Sequence, residues 1–137
     1  MGTKLNLTAE MNDKYRVVTR IGGHEYVMDE PVSLGGDDTG TVPGGMLAVA
    51  LAGCKAMVAR VYADKHKLDL RKIEMDVEAD FEENNGEYEL VFTVDIAIDG
   101  DLDEQELARI TRYINSACPV EKILTQVNTI NTTVRMK

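Results

Sequence analysis

The sequence has no tryptophan, two phenylalanines and three prolines, and its two cysteines stand 118 − 54 = 64 positions apart. Two cysteines outside any Cys-x-x-Cys do not make a secreted disulfide framework; a redox pair remains open to them. No apolar run approaches the roughly 18 residues that a membrane span needs; the longest, Met46 to Cys54, has nine. The opening Met1-Gly2-Thr3-Lys4-Leu5-Asn6 carries no apolar signal core. Positive charge is also scarce, with 15 basic against 24 acidic residues and a formal charge of −9. That balance disfavours polyanionic partners such as nucleic acid or an anionic lipid surface. The expectation is a cytoplasmic protein with no nucleic-acid and no membrane partner. At 137 residues, 44% hydrophobic and 28% charged, the chain reads as a single domain over residues 1–137.

What is present divides into clear elements. Tyr15, Val17, Thr19 and Ile21 alternate with Arg16, Val18 and Arg20, and Gly22-Gly23 turns that strand into a second, His24 to Met28. From Val32 to Gly45 five glycines, two aspartates and Pro43 make a loop. Pro43 then opens a helix running to about Lys65. Its stretch Met46 to Cys54 is apolar on every face, which predicts a helix buried at the centre of the protein. Lys55, Arg60, Asp64 and Lys65 restore polarity, so the helix is expected to emerge into solvent at its C-terminal end. A long hairpin follows, with apolar Ile73, Met75, Val77, Ala79 and Phe81 facing Tyr88, Leu90, Phe92, Val94 and Ile96 across a Glu83-Asn84-Asn85-Gly86 loop. Asp103 and Glu106 form a capping box for a second helix with the stripe Leu107, Ile110, Ile114 and Ala117. Pro119 ends that helix and starts a short one over Val120 to Val127, capped by Cys118; Ile130 to Met136 reads as a last strand. Strands that come in hairpins rather than βαβ units give an α+β class with antiparallel sheet.

Most candidate chemistry can be set aside. The glycine loop has no Lys-Ser/Thr ending, and Asp37 and Asp38 would repel phosphate. His24 and His66 have no third ligand at metal spacing. Asp99-Gly100-Asp101-Leu102-Asp103 starts like a calcium loop but has Glu104 where glycine is needed and Ile110 where the bidentate acid belongs. The two cysteines remain. Cys54 in an apolar helix is ordinarily an inert small hydrophobe. Cys118 is either a simple cap or, beside unpaired N–H groups and a positive helix end, a stabilised thiolate.

Ala50-Leu51-Ala52-Gly53-Cys54 in an apolar helix, preceded by glycines and Pro43 and followed much later by Ala117-Cys118-Pro119-Val120, resembles the OsmC/Ohr family of osmotically induced and organic hydroperoxide resistance proteins. Asp29-Glu30-Pro31 and Asp99-Gly100-Asp101-Leu102 fit OsmC-like members too. The resemblance implies an intertwined homodimer whose antiparallel sheets wrap a buried central helix. It implies thiol-dependent reduction of organic hydroperoxides, with Cys54 the peroxidatic and Cys118 the resolving cysteine. No metal or bound cofactor is implied, only an external dithiol reductant. Ohr-type members carry a glutamate ten residues before the first cysteine, where this chain has Gly44 followed by Gly45. They also place on the N-terminal hairpin an arginine held by that glutamate; here Arg16 and Arg20 are its imperfect substitutes. The departure keeps open a non-catalytic dimer of the same fold that binds a small apolar ligand.

Overall fold

A computed structural model describes residues 2–137. In chain order it contains strands β1 (Leu7–Met11), β2 (Val17–Ile21) and β3 (His24–Met28), then helix α1 (Pro43–Lys65). Strands β4 (Asp69–Asn84) and β5 (Glu87–Asp101) follow, then helices α2 (Glu104–Ala117) and α3 (Pro119–Leu124). The class is α+β with two antiparallel sheets, one of three strands in the order β1-β2-β3 and one of the two strands β4-β5. The chain falls into two compact units, described separately below.

The first unit takes in residues up to Val49 and the tip of the β4–β5 hairpin, Ala79–Val91. Its sheet is built on the predicted Gly22-Gly23 turn, which sets Ile21 opposite His24 and Val17 opposite Met28. Strand β1, absent from the sequence reading, pairs along the other edge from Leu7–Ile21 to Met11–Val17. The loop after β3 is tied by Asp29, whose carboxylate accepts from the Glu30 N–H (2.8 Å), the Thr39 N–H (3.1 Å) and the Thr39 hydroxyl (2.6 Å). At the hairpin tip Asn85 and Gly86 both have positive φ (52° and 83°), the geometry of a two-residue turn. The loop is therefore two residues shorter than predicted. Partners move by two, which keeps the apolar residues on the same face.

The second unit comprises Ala50–Glu78 and residues from Phe92 onward. Its core is Ala59, Ala63, Leu70, Ile110 and Ile114, flanked by Tyr62, Leu68, Ile73, Ile96, Ile98 and Leu102. The predicted capping box on α2 is present: the Glu106 N–H donates to Asp103 (2.8 Å), and the Asp103 N–H donates to the Glu106 side chain (3.0 Å). Helix α3 stops at Leu124, three residues short of its predicted end, and Ile130 to Met136 is not a strand. Val127, Ile130, Val134 and Met136 are all exposed, and this alternating segment pairs with no strand among the described residues.

Helix α1 departs from expectation in a way that matters for the site. Only Leu51, Lys55, Ala59 and Ala63, at a spacing of four, are buried. Val49, Met57 and Val61 are exposed, Met57 by 71%. One chain thus covers a single stripe of a helix that is apolar nearly all round. Lys55 lies in the buried stripe; it does not open a solvated end as the sequence suggested.

Candidate thiol site

Cys54 is half-buried on α1, and Cys118 sits at the junction of α2 and α3 with 0% exposure. The junction exists because Pro119 disfavours helical geometry in the residue before it. Cys118 is accordingly extended (φ −74°, ψ 108°), closing α2 and opening α3. Its side chain makes no capping hydrogen bond, so the simple capping role does not hold. Instead it neighbours Cys54 closely enough to act on that thiol, and both cysteines are free.

The electrostatics of Cys54 are mixed. Burial pushes its thiol up from the ordinary cysteine value, and the Cys118 thiol adds to that rise. The backbone N–H of Val120 and the ammonium of Lys55 oppose it by favouring the thiolate. Cys118 supplies the turn, and the next N–H in the first turn of α3 points at Cys54.

Two further residues complete the site: Lys55, which the sequence suggested as a return to solvent projecting about 100° around the helix from Cys54, and Glu121, which it did not single out. Lys55 Nζ lies 3.1 Å from Glu121 Oε1, with the lysine side chain 4% exposed and the glutamate 38%. The sequence signal was available: Lys55 shares the i, i+4 row with Leu51, Ala59 and Ala63, which only small or apolar residues would be expected to fill. Arg20, a candidate activator of Cys54, is engaged elsewhere, with Glu10 (3.4 Å) and Glu25 (3.2 Å). Arg16 is exposed in the turn before β2. At Gly44 a Cβ would overlap the ring of Phe81, which fills the space where a larger side chain would start. Among the described residues no three His, Cys, Asp or Glu side chains gather as a metal set. An apolar groove of about 380 Å³ lies between β5 and α2, lined by Val94, Ile96, Ile98, Leu107 and Ile114 with Thr111 and Asn115.

A family model described as OsmC-like protein matches residues 35–133, a span that holds both cysteines, Lys55 and Glu121. The chain belongs to the OsmC-like family. An uncharacterized protein of Haloferax volcanii is 26% identical over 113 residues, covering 82% of this chain and 80% of that relative. Among solved structures, an OsmC-like protein from Mycoplasma pneumoniae superposes with a TM-score of 0.81 at 21% identity, covering 93% of this chain and 91% of its own. An organic hydroperoxide resistance protein OsmC from Legionella pneumophila gives 0.71 at 20% identity, with 90% of each chain covered. These likenesses show the OsmC-like fold.

Proposed function

We propose that this OsmC-like protein reduces organic hydroperoxides by a two-cysteine mechanism and serves oxidative-stress defence in the cytoplasm. The observation that carries the reading is the proximity of Cys54 and Cys118, two free thiols from distant parts of the chain. The hydroperoxide-resistance name of the Legionella pneumophila neighbour agrees with it. The Cys54 thiolate attacks the terminal oxygen of the hydroperoxide, the O–O bond breaks, and the alkoxide takes a proton from solvent and leaves as the alcohol. Cys54, oxidised by two electrons, is then a sulfenic acid. The Cys118 sulfur attacks it, forming the disulfide and releasing water. An external dithiol restores both thiols by exchange and becomes a disulfide itself. Val120 N–H and Lys55 favour the attacking thiolate. Apolar Ala50, Leu51, Met57 and Val58 around Cys54 on α1 suit a hydrophobic hydroperoxide better than hydrogen peroxide.

The working unit in this reading is a homodimer. Val49, Met57 and Val61 on α1, with Val127, Ile130 and Val134 near the C-terminus, are apolar side chains left exposed, and exposed apolar surface is the material of an interface. A second copy would cover it across a two-fold axis. Sedimentation at micromolar concentration should give a dimer; a stable, folded 15.2 kDa species would contradict this.

Consumption of cumene hydroperoxide with a dithiol reductant tests the activity. Cys54→Ser should abolish it, and Cys118→Ser should allow one turnover and then stall with oxidised Cys54. Equal turnover by the wild type and both variants would refute the assignment. A second reading, a non-catalytic protein holding a small apolar ligand, is favoured by the groove between β5 and α2. Saturable binding of an apolar ligand there, together with absence of turnover, would support it.

A further inference from the structure

Lys55 and Asp29 are the buried charged side chains among the described residues. Asp29 is satisfied by three donors of its own loop and ties that loop. Lys55 is different. It sits in a row whose other members are Leu51, Ala59 and Ala63, and its carboxylate partner comes from a residue 66 positions away. An ammonium in such a row is costly, and an apolar residue of similar size would stabilise the fold at least as well. Its presence there needs a reason other than stability.

The place of the pair supplies one. Lys55 follows Cys54 on α1, while Glu121 stands three residues after Cys118 and one after Val120 on α3. The ion pair therefore ties the helix bearing one sulfur to the turn that presents the other. We propose that Lys55 and Glu121 are positioning residues for the thiol pair, a half-buried latch that holds the Cys118-Pro119-Val120 turn near Cys54 and keeps a positive charge in its neighbourhood. This deepens the reading of the two cysteines as a redox pair and rests on it. The titratable groups that act on Cys54 are Cys118 from the α2–α3 junction, which raises its pKa, and Lys55 of its own helix, which lowers it; Glu121 of α3 pairs with Lys55 in turn. The two halves of the latch differ in what their loss removes. Without Lys55 the charge and the tie both go. Without the Glu121 carboxylate the tie goes while the positive charge stays.

Two measurements on the purified full-length protein test the latch without any hydroperoxide. The first is the pH profile of Cys54 alkylation by iodoacetamide, followed by peptide mass spectrometry. The second is the rate of Cys54–Cys118 disulfide formation with diamide, which takes up the two electrons and two protons the thiols release. Lys55→Met should move the alkylation profile to higher pH, slowing reaction at pH 7 about three- to tenfold. Lys55→Arg should restore the wild-type profile. Glu121→Gln should leave the profile where it is or move it lower, yet slow disulfide formation about fivefold or more through lost positioning. Variants that fold, with or without a changed melting temperature, but keep both the alkylation profile and the disulfide rate of the wild type would overturn the proposal. Should Lys55→Met fail to fold, Lys55→Arg and Glu121→Gln decide alone, by the same two readouts. If the variants behave as expected while the wild type consumes no hydroperoxide, the latch stands and the reductase reading falls.

Discussion

Iodoacetamide reacts with thiolate and scarcely with thiol, so its rate on Cys54 follows the fraction of that sulfur ionised. An ordinary cysteine, with a pKa of about 8.5, is about 3% thiolate at pH 7. Burial and the Cys118 thiol push Cys54 above the ordinary value, against the smaller opposing pull of Val120 N–H and Lys55. Cys54 should then be less ionised at pH 7 than an ordinary cysteine, with alkylation well under its high-pH plateau. The rate should climb about tenfold per pH unit and still be rising beyond pH 8.5. Site-resolved mass spectrometry can follow Cys54 separately, because Cys118 has no exposed surface and reacts later. The same shift has a consequence for stability. A thiol whose folded pKa is raised holds its proton better folded than unfolded, so its contribution is complete below about pH 8.5 and is lost as pH rises through the folded value. The melting temperature should therefore fall on the alkaline side, and fall less in Cys54→Ser. Fast alkylation, flat from pH 6 upward, would refute the electrostatic account and require a stronger cation beside the sulfur.

Three further outcomes follow from the packing. Gly44→Ala should gain less than the roughly 1 kcal/mol that helix propensity offers, because its Cβ overlaps the half-exposed Phe81 ring, which must shift; a Phe81→Leu partner should raise the gain in urea unfolding, and additive effects would contradict the overlap. Asp29 has its carboxyl pKa lowered, first by the Thr39 hydroxyl, so its stabilisation is present above the unfolded value of about 3.9 and is lost as pH falls through the folded one; Asp29→Asn should lower the urea midpoint at pH 7 and flatten its acid dependence, and a parallel pH curve would count against it. Ile110, fully buried in the core, should lose about 2–5 kcal/mol on truncation to alanine, and a loss under about 1 kcal/mol would show that the site collapses freely.

Much of this architecture was legible because it rests on local chemistry. Pro43 and the apolar run defined α1 from Pro43 to Lys65, and Asp103 with Glu106 fixed the start of α2. Proline after Cys118 placed the second sulfur at a helix junction. Strand β1 escaped notice because all five of its residues are exposed, so no buried face marks its alternation. The hairpin loop was read two residues too long because Asn84-Asn85-Gly86 offers turn residues in excess of the two the turn uses. Within the site, sequence order and the resemblance named both sulfurs. Lys55 and Glu121 stayed hidden because 66 residues separate them. Composition alone reads a lysine after an apolar run as a return to solvent; only the i, i+4 row shows that it faces inward. The segment Ile130 to Met136 keeps a strand-like alternation in sequence yet pairs with no strand among the described residues, because alternation alone does not supply a partner.

The most direct test of the account is to treat the reduced protein with one equivalent of cumene hydroperoxide, without any added reductant, and map the thiols by mass spectrometry. The account predicts one equivalent of cumyl alcohol, a protein lighter by two hydrogens, and a Cys54–Cys118 linkage that a dithiol reverses. Consumption of the peroxide with both thiols still free, or no consumption while the two thiols remain neighbours, would contradict it.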